Sequence, residues 1–454
     1  CPALANTPDT PFQTFPLDLM INDSSTYVPN AVCHNAYALL LLKGTGDGLA
    51  KLRPATRNFI IARGGYAGMQ RYAALWTGDS GSSWDFLRIN VPEVLNLGLS
   101  GVPISGCDIG GFASDSGCVN YDNGAPGDGS QPPFVTGGKI RGGVCNFELL
   151  TRWMQLGSFL PWYRNHYNGY TKAFQEPYAY GEPVPTNCRK YVELRYRMLQ
   201  VYYDAMYEWT QTGMPIARAL FLNDPADPEV YNHLDDQFFV GRDFLVAPIL
   251  SPGNPPGSPI ARSIYLPARS NWYAFKDNQA KLDAPVSGGQ TIANFVAGLD
   301  LVPIYVRAGA ILPMRLLEQY VGELAQNPID INVYPGPDAD YLMYLDDGIS
   351  TRAQSNQEFR TTRIRHQAVP GGTSVRLQRE TDNFTPPEPF YLVRLLATTQ
   401  PSSVTVGGVA VPNVGSAAAL STAGSNAYFW DASLGTTVVK VFDTAADETV
   451  TVLL

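Results

Sequence analysis

RYAALWTGDSGSSWDFLRINVPEVLNLGLSGVPISGCDIGGF, residues 71–112, is the stretch on which the fold turns. A short apolar run stops at Trp76 and is followed by Thr77, Gly78 and Asp79. A segment with helical spacing comes next, in which Trp84, Leu87, Val91, Val94 and Leu95 supply the apolar face. GVPISGCDIGGF then reads as a further strand that closes on Asp108 and a glycine pair. Strands alternating with helices, each strand ending in a polar residue and glycine, indicate a parallel sheet or a (β/α)8 barrel. In a barrel the residues just after the strands gather at one face, where chemistry is done.

The rhythm extends in both directions. RNFIIARGG (57–65) is an earlier strand ending in Arg63 and glycines, and NFELLTRWMQLGSFL (146–160) and CRKYVELRYRMLQVYYDAMYEWTQTG (188–213) are amphipathic helices. PIARALFL (215–222) is expected to close this half as another strand. AYALLLL (36–42) reads as part of a buried helix and falls far short of the ~20 apolar residues that span a bilayer. After about residue 230 the helical pattern stops. DQFFVGRDFLVAPIL, RSIYLPARSNWYAF, LVPIYVRAGAILPM and DINVYPGPDADYLMYLDDGIS are short strands split by Gly, Pro and Asp turns, enough for two small β-sandwiches. MRLLEQYVGELAQN interrupts the strands near 318. The expected division is therefore 1–230 as the second half of a (β/α)8 barrel, with 231–318 and 319–454 as β-sandwiches. Residues 114–144 form a long Gly/Pro-rich stretch, expected to be a wall or lid beside the site.

Composition narrows the function. The 454 residues are too many for one ordinary core, and 45% apolar content supplies large ones. Only 16% of residues are charged, and the formal net charge of −9 argues against nucleic acid and anionic membranes as partners. With 25 Tyr and 7 Trp the chain is rich in faces that suit sugar rings, although most such residues fill cores. The six cysteines lack zinc-ligand spacing, and Cys118 with Cys145, flanking the long loop, is the expected disulfide. Asn22-Asp-Ser and Asn383-Phe-Thr are glycosylation acceptor patterns, which together with the acidic balance favour a secreted protein. The first residue is Cys1 rather than Met, as expected of a processed product.

Two acids sit at consecutive strand ends, Asp79 and Asp108. Paired carboxylates flanking a bond are the minimum equipment for glycoside hydrolysis. One of them must stay protonated to serve the leaving oxygen, which burial or a neighbouring charge can enforce. The alternative for Asp79 is a helix cap ahead of Trp84, a role Asp commonly fills. Arg63 either orients a carboxylate or a sugar hydroxyl or makes an ordinary ion pair at the rim. His166, in WYRNHY, is either part of the site or a hydrogen-bonded structural residue. Phe112, Trp162 and Phe174 line a sugar pocket or fill the core. No GxSxG serine, phosphate loop or metal-ligand spacing occurs, so neither a cofactor nor a metal is expected.

In this order, IIARGGYAG, WTGD with the following SSW, GVPISGCDIGGF and WMQLGSFLPWYRNHY resemble the C-terminal part of glycoside hydrolase family 31, which holds α-glucosidases, α-xylosidases, transglucosidases and α-1,4-glucan lyases. The later strands resemble that family's C-terminal β domains. The resemblance implies that Asp79 is the general acid/base of a double displacement on α-glucosides or maltooligosaccharides. Asp108 then binds hydroxyls of the −1 sugar rather than acting as the second catalytic acid, and Arg63, Trp76, Phe112 and His166 line the same pocket. The family's nucleophile is an Asp in a pattern such as DMNEPA, which this sequence lacks. CPA (1–3) resembles the tail of that pattern and HNAYA (34–38) the HNLYG segment after it. The nucleophile is therefore expected on a separate N-terminal polypeptide that completes the barrel. RGGY, FQEPYAY and CRKYVELRYR resemble the lyases and their near relatives among glucosidases, so loss of the C2 proton to give 1,5-anhydrofructose stands beside hydrolysis and transfer. A non-catalytic carbohydrate-binding protein is the alternative from another class.

Overall fold

A computed structural model describes residues 18–23, 26–112, 145–167 and 174–454. By its contacts the chain divides into two compact units, 1–184 with 250–252 and 185–249 with 253–454. The stretch 114–144 lies outside the described residues.

The first unit opens with an antiparallel hairpin, β1 (Met20–Asp23) with β2 (Thr26–Pro29), and a long helix, α1 (Asn30–Leu52). Three short strands then form a parallel sheet: β3 (Ile61–Ala62), β4 (Ala74–Trp76) and, after helix α2 (Trp84–Leu99), β5 (Ser105–Gly106). Ile61 pairs with Ala74, and Leu75 with Ser105. β6 (Asp108–Ile109) pairs in parallel with β7 (Arg164–Asn165), the two joined through helix α3 (Phe147–Gly157). This is the strand–helix–strand alternation expected from the sequence, with the hydrogen-bonded part of each strand only two or three residues long.

Helix α2 forms where the apolar spacing says it should. Trp84, Leu87, Val91, Val94 and Leu95 are all buried. In α3 nearly every side chain is buried, with Leu149, Trp153 and Leu156 fully so. Trp153 Nε1 donates to Cys107 Sγ at 3.0 Å, and burial pushes that thiol up to about 12. Trp162 lies beyond the end of α3 and not on it.

AYALLLL is helical, as expected, but it is mostly not buried. Within α1 only Asn30 and Leu42 are buried, while Val32, Leu40 and Leu41 are 76%, 61% and 59% exposed. Runs of leucine specify a helix without specifying what covers it. PIARALFL also differs from expectation. Ala217–Arg218 is a strand, but it pairs antiparallel with Phe238–Val240 in the β sheet of the second unit, and Leu220–Asn223 is a short helix. The apolar pattern marks a buried strand and does not say which sheet takes it.

The second unit begins with helices α4 (Val184–Arg197, from Pro185 onward) and α5 (Leu199–Thr212), separated at Met198. Gly213, at φ +77°, ends α5 and donates its N–H to Trp209 O, a left-handed cap that glycine adopts without strain. A six-stranded antiparallel sheet follows, packed with the antiparallel strand pair 260–266/290–297 around Phe239, Leu245, Ile264 and Trp272. Beyond it, five strands (311–315, 329–333, 390–395, 436–442, 427–431) and six strands (339–345, 360–369, 372–382, 447–453, 403–406, 409–410) share one core. Ile311, Ile331, Val393 and Val439 come from the first of these sheets, and Met343, Ile364, Val375 and Val450 from the second. Residues 316–328 connect two paired strands of the five-stranded sheet.

Among the described residues Cys33, Cys107 and Cys188 are thiols, and the disulfide expected between Cys118 and Cys145 falls on Cys118, which lies outside the described residues. Among the described residues no helix is long and apolar enough to cross a membrane, and no three His, Cys, Asp or Glu side chains are grouped to hold a metal.

Candidate active site

Asp79 lies in the turn after β4, half-buried, with Arg63 Nη1 from the turn after β3 at 3.4 Å from its Oδ2. It does not cap α2. That cap is Ser83, whose Oγ accepts the Phe86 N–H at 3.2 Å. The carboxylate is therefore not committed to the helix.

The turn carrying Asp79 is anchored on both sides. Thr77 N–H donates to Gly106 O at 2.9 Å, and Thr77 Oγ1 donates to Asn90 Oδ1 at 2.7 Å. Ser82 Oγ donates to Gly110 O at 2.7 Å, and Gln175 Nε2 donates to Gly111 O at 3.0 Å. The two turns meet so closely that a Cβ on Gly111, at φ +83°, would sit 2.6 Å from Ser82 Cα. Gly111 thus serves close approach between the turn bearing Asp79 and the turn bearing Asp108.

Asp108 is fully buried. Arg164 Nη2 donates to its Oδ1, and the guanidinium lies between two indoles, 5.2 Å from the Trp76 ring centre and 5.7 Å from that of Trp162. Burial raises the carboxyl of Asp108 above the usual carboxylate range. Arg164 and the neighbouring His166 oppose that shift, and Asp79 adds to it. Phe112 follows the Gly110-Gly111 turn and packs against His166, their ring centres 5.4 Å apart. His166 is itself exposed. Phe59 stacks on Trp162 at 5.6 Å. Phe174 is 58% exposed and is not part of the core.

Around Arg164 several buried polar atoms lack a hydrogen-bond partner: Asp108 Oδ2, Arg164 Nε, Trp76 Nε1 and Trp162 Nε1. Buried donors and acceptors are nearly always satisfied in folded proteins, so such a group marks a place made for a polar ligand or water. The sequence reading named Trp76 and Asp108 but not Arg164, Ser82 or Gln175. Arg164 was legible in principle, since it stands two residues before His166, which directly follows β7. Gln175 gave no local signal, because its partners lie 64 and 93 residues away. Asn383 is exposed, with Nδ2 donating to Gln357 O at 3.1 Å, and Asn22 lies in β1.

The sequence matches the Glycosyl hydrolases family 31 TIM-barrel domain over residues 6–205 and the Glycosyl hydrolase family 31 C-terminal domain over 213–312. It is 35% identical over 318 residues to alpha-glucosidase 2 of Bacillus thermoamyloliquefaciens, an alignment covering 69% of this chain and 35% of that protein. Among solved structures, the α-1,4-glucan lyase of Gracilariopsis lemaneiformis in a covalent intermediate complex superposes with a TM-score of 0.82 at 27% identity, covering 96% of this chain and 43% of that one. A GH31 dextranase of Flavobacterium johnsoniae complexed with glucose gives 0.81 at 27% identity, covering 94% and 50%. The chain thus spans about a third of the length of the curated relative it matches and at most half of these two structures. Two successive domain matches, the parallel strand–helix alternation and the paired β sheets agree, and the chain belongs to glycoside hydrolase family 31.

Proposed function

We propose that this chain supplies the acid/base and sugar-binding half of a retaining α-glucosidase site that hydrolyses or transfers α-glucosyl units of maltooligosaccharides. The observation that carries the reading is the cluster around Arg164. One oxygen of a buried carboxylate and two indole N–H groups lack partners beside an Asp79 that has no capping duty. In this reading Asp79 protonates the glycosidic oxygen and later deprotonates water or an acceptor sugar. Asp108 Oδ2 accepts a hydroxyl of the bound sugar, Arg63 holds Asp79 in place, and Trp76, Phe112 and His166 wall the ring.

The partner carboxylate of the double displacement comes from a polypeptide outside this sequence, one that also completes the sheet. Two features support it. Strand β3 is paired on one side only among the described residues, and α1 leaves Val32, Leu40 and Leu41 exposed. In the proposed division 1–230 is the barrel portion and 231–318 and 319–454 are the β portions, with Ala217–Arg218 and Ile311–Arg315 pairing across those bounds. Secretion and glycosylation at Asn22 and Asn383 belong to the same proposal. Asp79→Asn, assayed on maltose with that partner present, abolishes turnover; unchanged activity removes the acid/base role, and a preparation active as this chain alone removes the partner.

A second reading, lyase chemistry, draws on the glucan lyase superposition, which covers 96% of this chain. Both reactions share the glycosyl–enzyme intermediate and differ in whether C1 is attacked or the C2 proton is lost. Product analysis for glucose against 1,5-anhydrofructose separates them.

A further inference from the structure

The second unit contains a cavity of about 270 Å³ that the Asp79–Asp108 site does not use. Its floor is apolar, made by Val201 and Ala205 of α5 with Val240, Leu312 and Leu342. Its rim is polar: Glu208 and Gln211 from α5 face Arg242, Asp340 and Arg363, with Tyr207 alongside. We propose that this cavity is a second carbohydrate site, which takes one neutral hexosyl unit of an α-glucan.

Charge decides the ligand class first. Each ionised group on the rim already has its counter-charge. Glu208 is paired with Arg218, Asp340 with Arg363 at 2.6 Å, and Arg242 with Asp243 at 2.8 Å. Asp204, at the floor, has both oxygens occupied, by Tyr344 N–H and Gln200 Nε2 on one and by the Tyr341 hydroxyl on the other, each at 2.8 Å. Neither an anion nor a cation would find a rim group without its counter-charge, so burying one would cost more than pairing returns. An uncharged ligand has no such penalty. The paired carboxylates and guanidinium groups still keep spare lone pairs and N–H donors, which hydroxyl groups can use in both directions.

Shape and size narrow the class further. A pyranose offers an apolar C–H face to the valine and leucine floor and a hydroxyl edge to the rim. The volume falls just below the ~300 Å³ at which pockets for drug-sized ligands begin, so one ring enters and the rest of the chain stays outside. The choice of a glucan over other neutral polyols rests on the proposed α-glucosidase reading, because a protein acting on that polymer meets it at high local concentration. Binding here would add avidity to a long substrate.

The test uses maltotriose as the probe, followed by calorimetry and saturation-transfer NMR on the whole chain. Asp108→Asn disables the site in the first unit. Adding Gln211→Trp, at an exposed position on the last turn of α5, fills the mouth of the cavity without touching its core. Arg363→Ala independently removes rim hydrogen bonds, and circular dichroism verifies that each variant is folded. The proposal expects maltotriose to bind Asp108→Asn and expects either added substitution to weaken that binding tenfold or more. Absence of binding to Asp108→Asn, or equal binding with and without Gln211→Trp and Arg363→Ala, overturns it. Turnover that depends on Asp79 without Gln211-sensitive binding sinks this proposal alone. Gln211-sensitive binding without any turnover sinks the catalytic reading and leaves this one standing.

Discussion

Asp79 and Ser83 stand four residues apart, and the structure divides between them two duties that a helix start invites one residue to hold. Ser83→Ala removes the side-chain oxygen that accepts the Phe86 N–H, at a cost of ~1 kcal/mol in urea unfolding, while turnover stays intact. Asp79→Asn does the opposite: it removes turnover and leaves stability within ~0.5 kcal/mol, as expected of a side chain that supports no buried network. Arg164 is the residue on which the neighbouring carboxylate depends. Arg164→Ala strands Asp108 as a buried charge without its partner, a loss of ~3–5 kcal/mol at neutral pH, and also empties the space between two indoles. The sign of the pH effect follows from Asp108. Burial already raises its carboxyl above the ordinary range, and loss of the arginine raises it further. Below that raised value the folded protein holds the acid neutral and needs no counter-charge. The penalty of Arg164→Ala therefore shrinks as pH falls and grows as pH rises through the folded-state value, which urea midpoints at pH 5 and pH 7 measure.

At the scale of elements, two tight turns have to touch for the site to exist. Gly78 and Gly111 both have positive φ, +81° and +83°, but their surroundings differ. A Cβ on Gly78 meets nothing within 4 Å, so Gly78→Ala costs only the ~1–2 kcal/mol of the left-handed backbone. A Cβ on Gly111 meets the backbone of Ser82, three residues after Asp79. Gly111→Ala must then push the two turns apart, with a larger stability loss and a fall in kcat/KM, both read in one denaturation and activity series. Much of this was legible in the sequence because it is local. The strand ends, the glycine pair and the spacing of α2 all fall within forty-two residues, and Asp79 and Asp108 could be set on one face from alternation alone. What the sequence hid is contact at a distance. Nothing near Gln175 announces that it closes on Gly111, and nothing in AYALLLL says that Leu40 and Leu41 face outward while Leu42 turns inward. PIARALFL likewise looks like any buried strand, and only the register of Ala217 with Val240 shows which sheet it joins.

For the whole molecule, two compact units with separate cores predict unfolding that does not reduce to one transition. Asp204 assigns the transition of the second unit. It is a buried carboxylate on α5 that ties the helix to Tyr344 N–H and the Tyr341 hydroxyl of the 339–345 strand. Burial pushes its carboxyl up to about 7 from 3.8, against the opposing hydrogen bonds from Tyr344, Gln200 and Tyr341 and the charge of Arg315. Between those two values the folded state binds more proton than the unfolded chain does. The stability of this unit therefore falls as pH rises from about 4 to about 7, with a slope of up to ~1.4 kcal/mol per pH unit from this group, and flattens above. Asp204→Asn, which cannot titrate, removes that contribution. In calorimetric scans between pH 4.5 and 8 the wild-type chain should show one component whose midpoint drops with rising pH. In Asp204→Asn the drop should be smaller, while the component from the parallel-strand unit keeps its midpoint. An unchanged slope in the variant means that Asp204 keeps an ordinary acidity, and that hydrogen bonds to its carboxylate outweigh its burial.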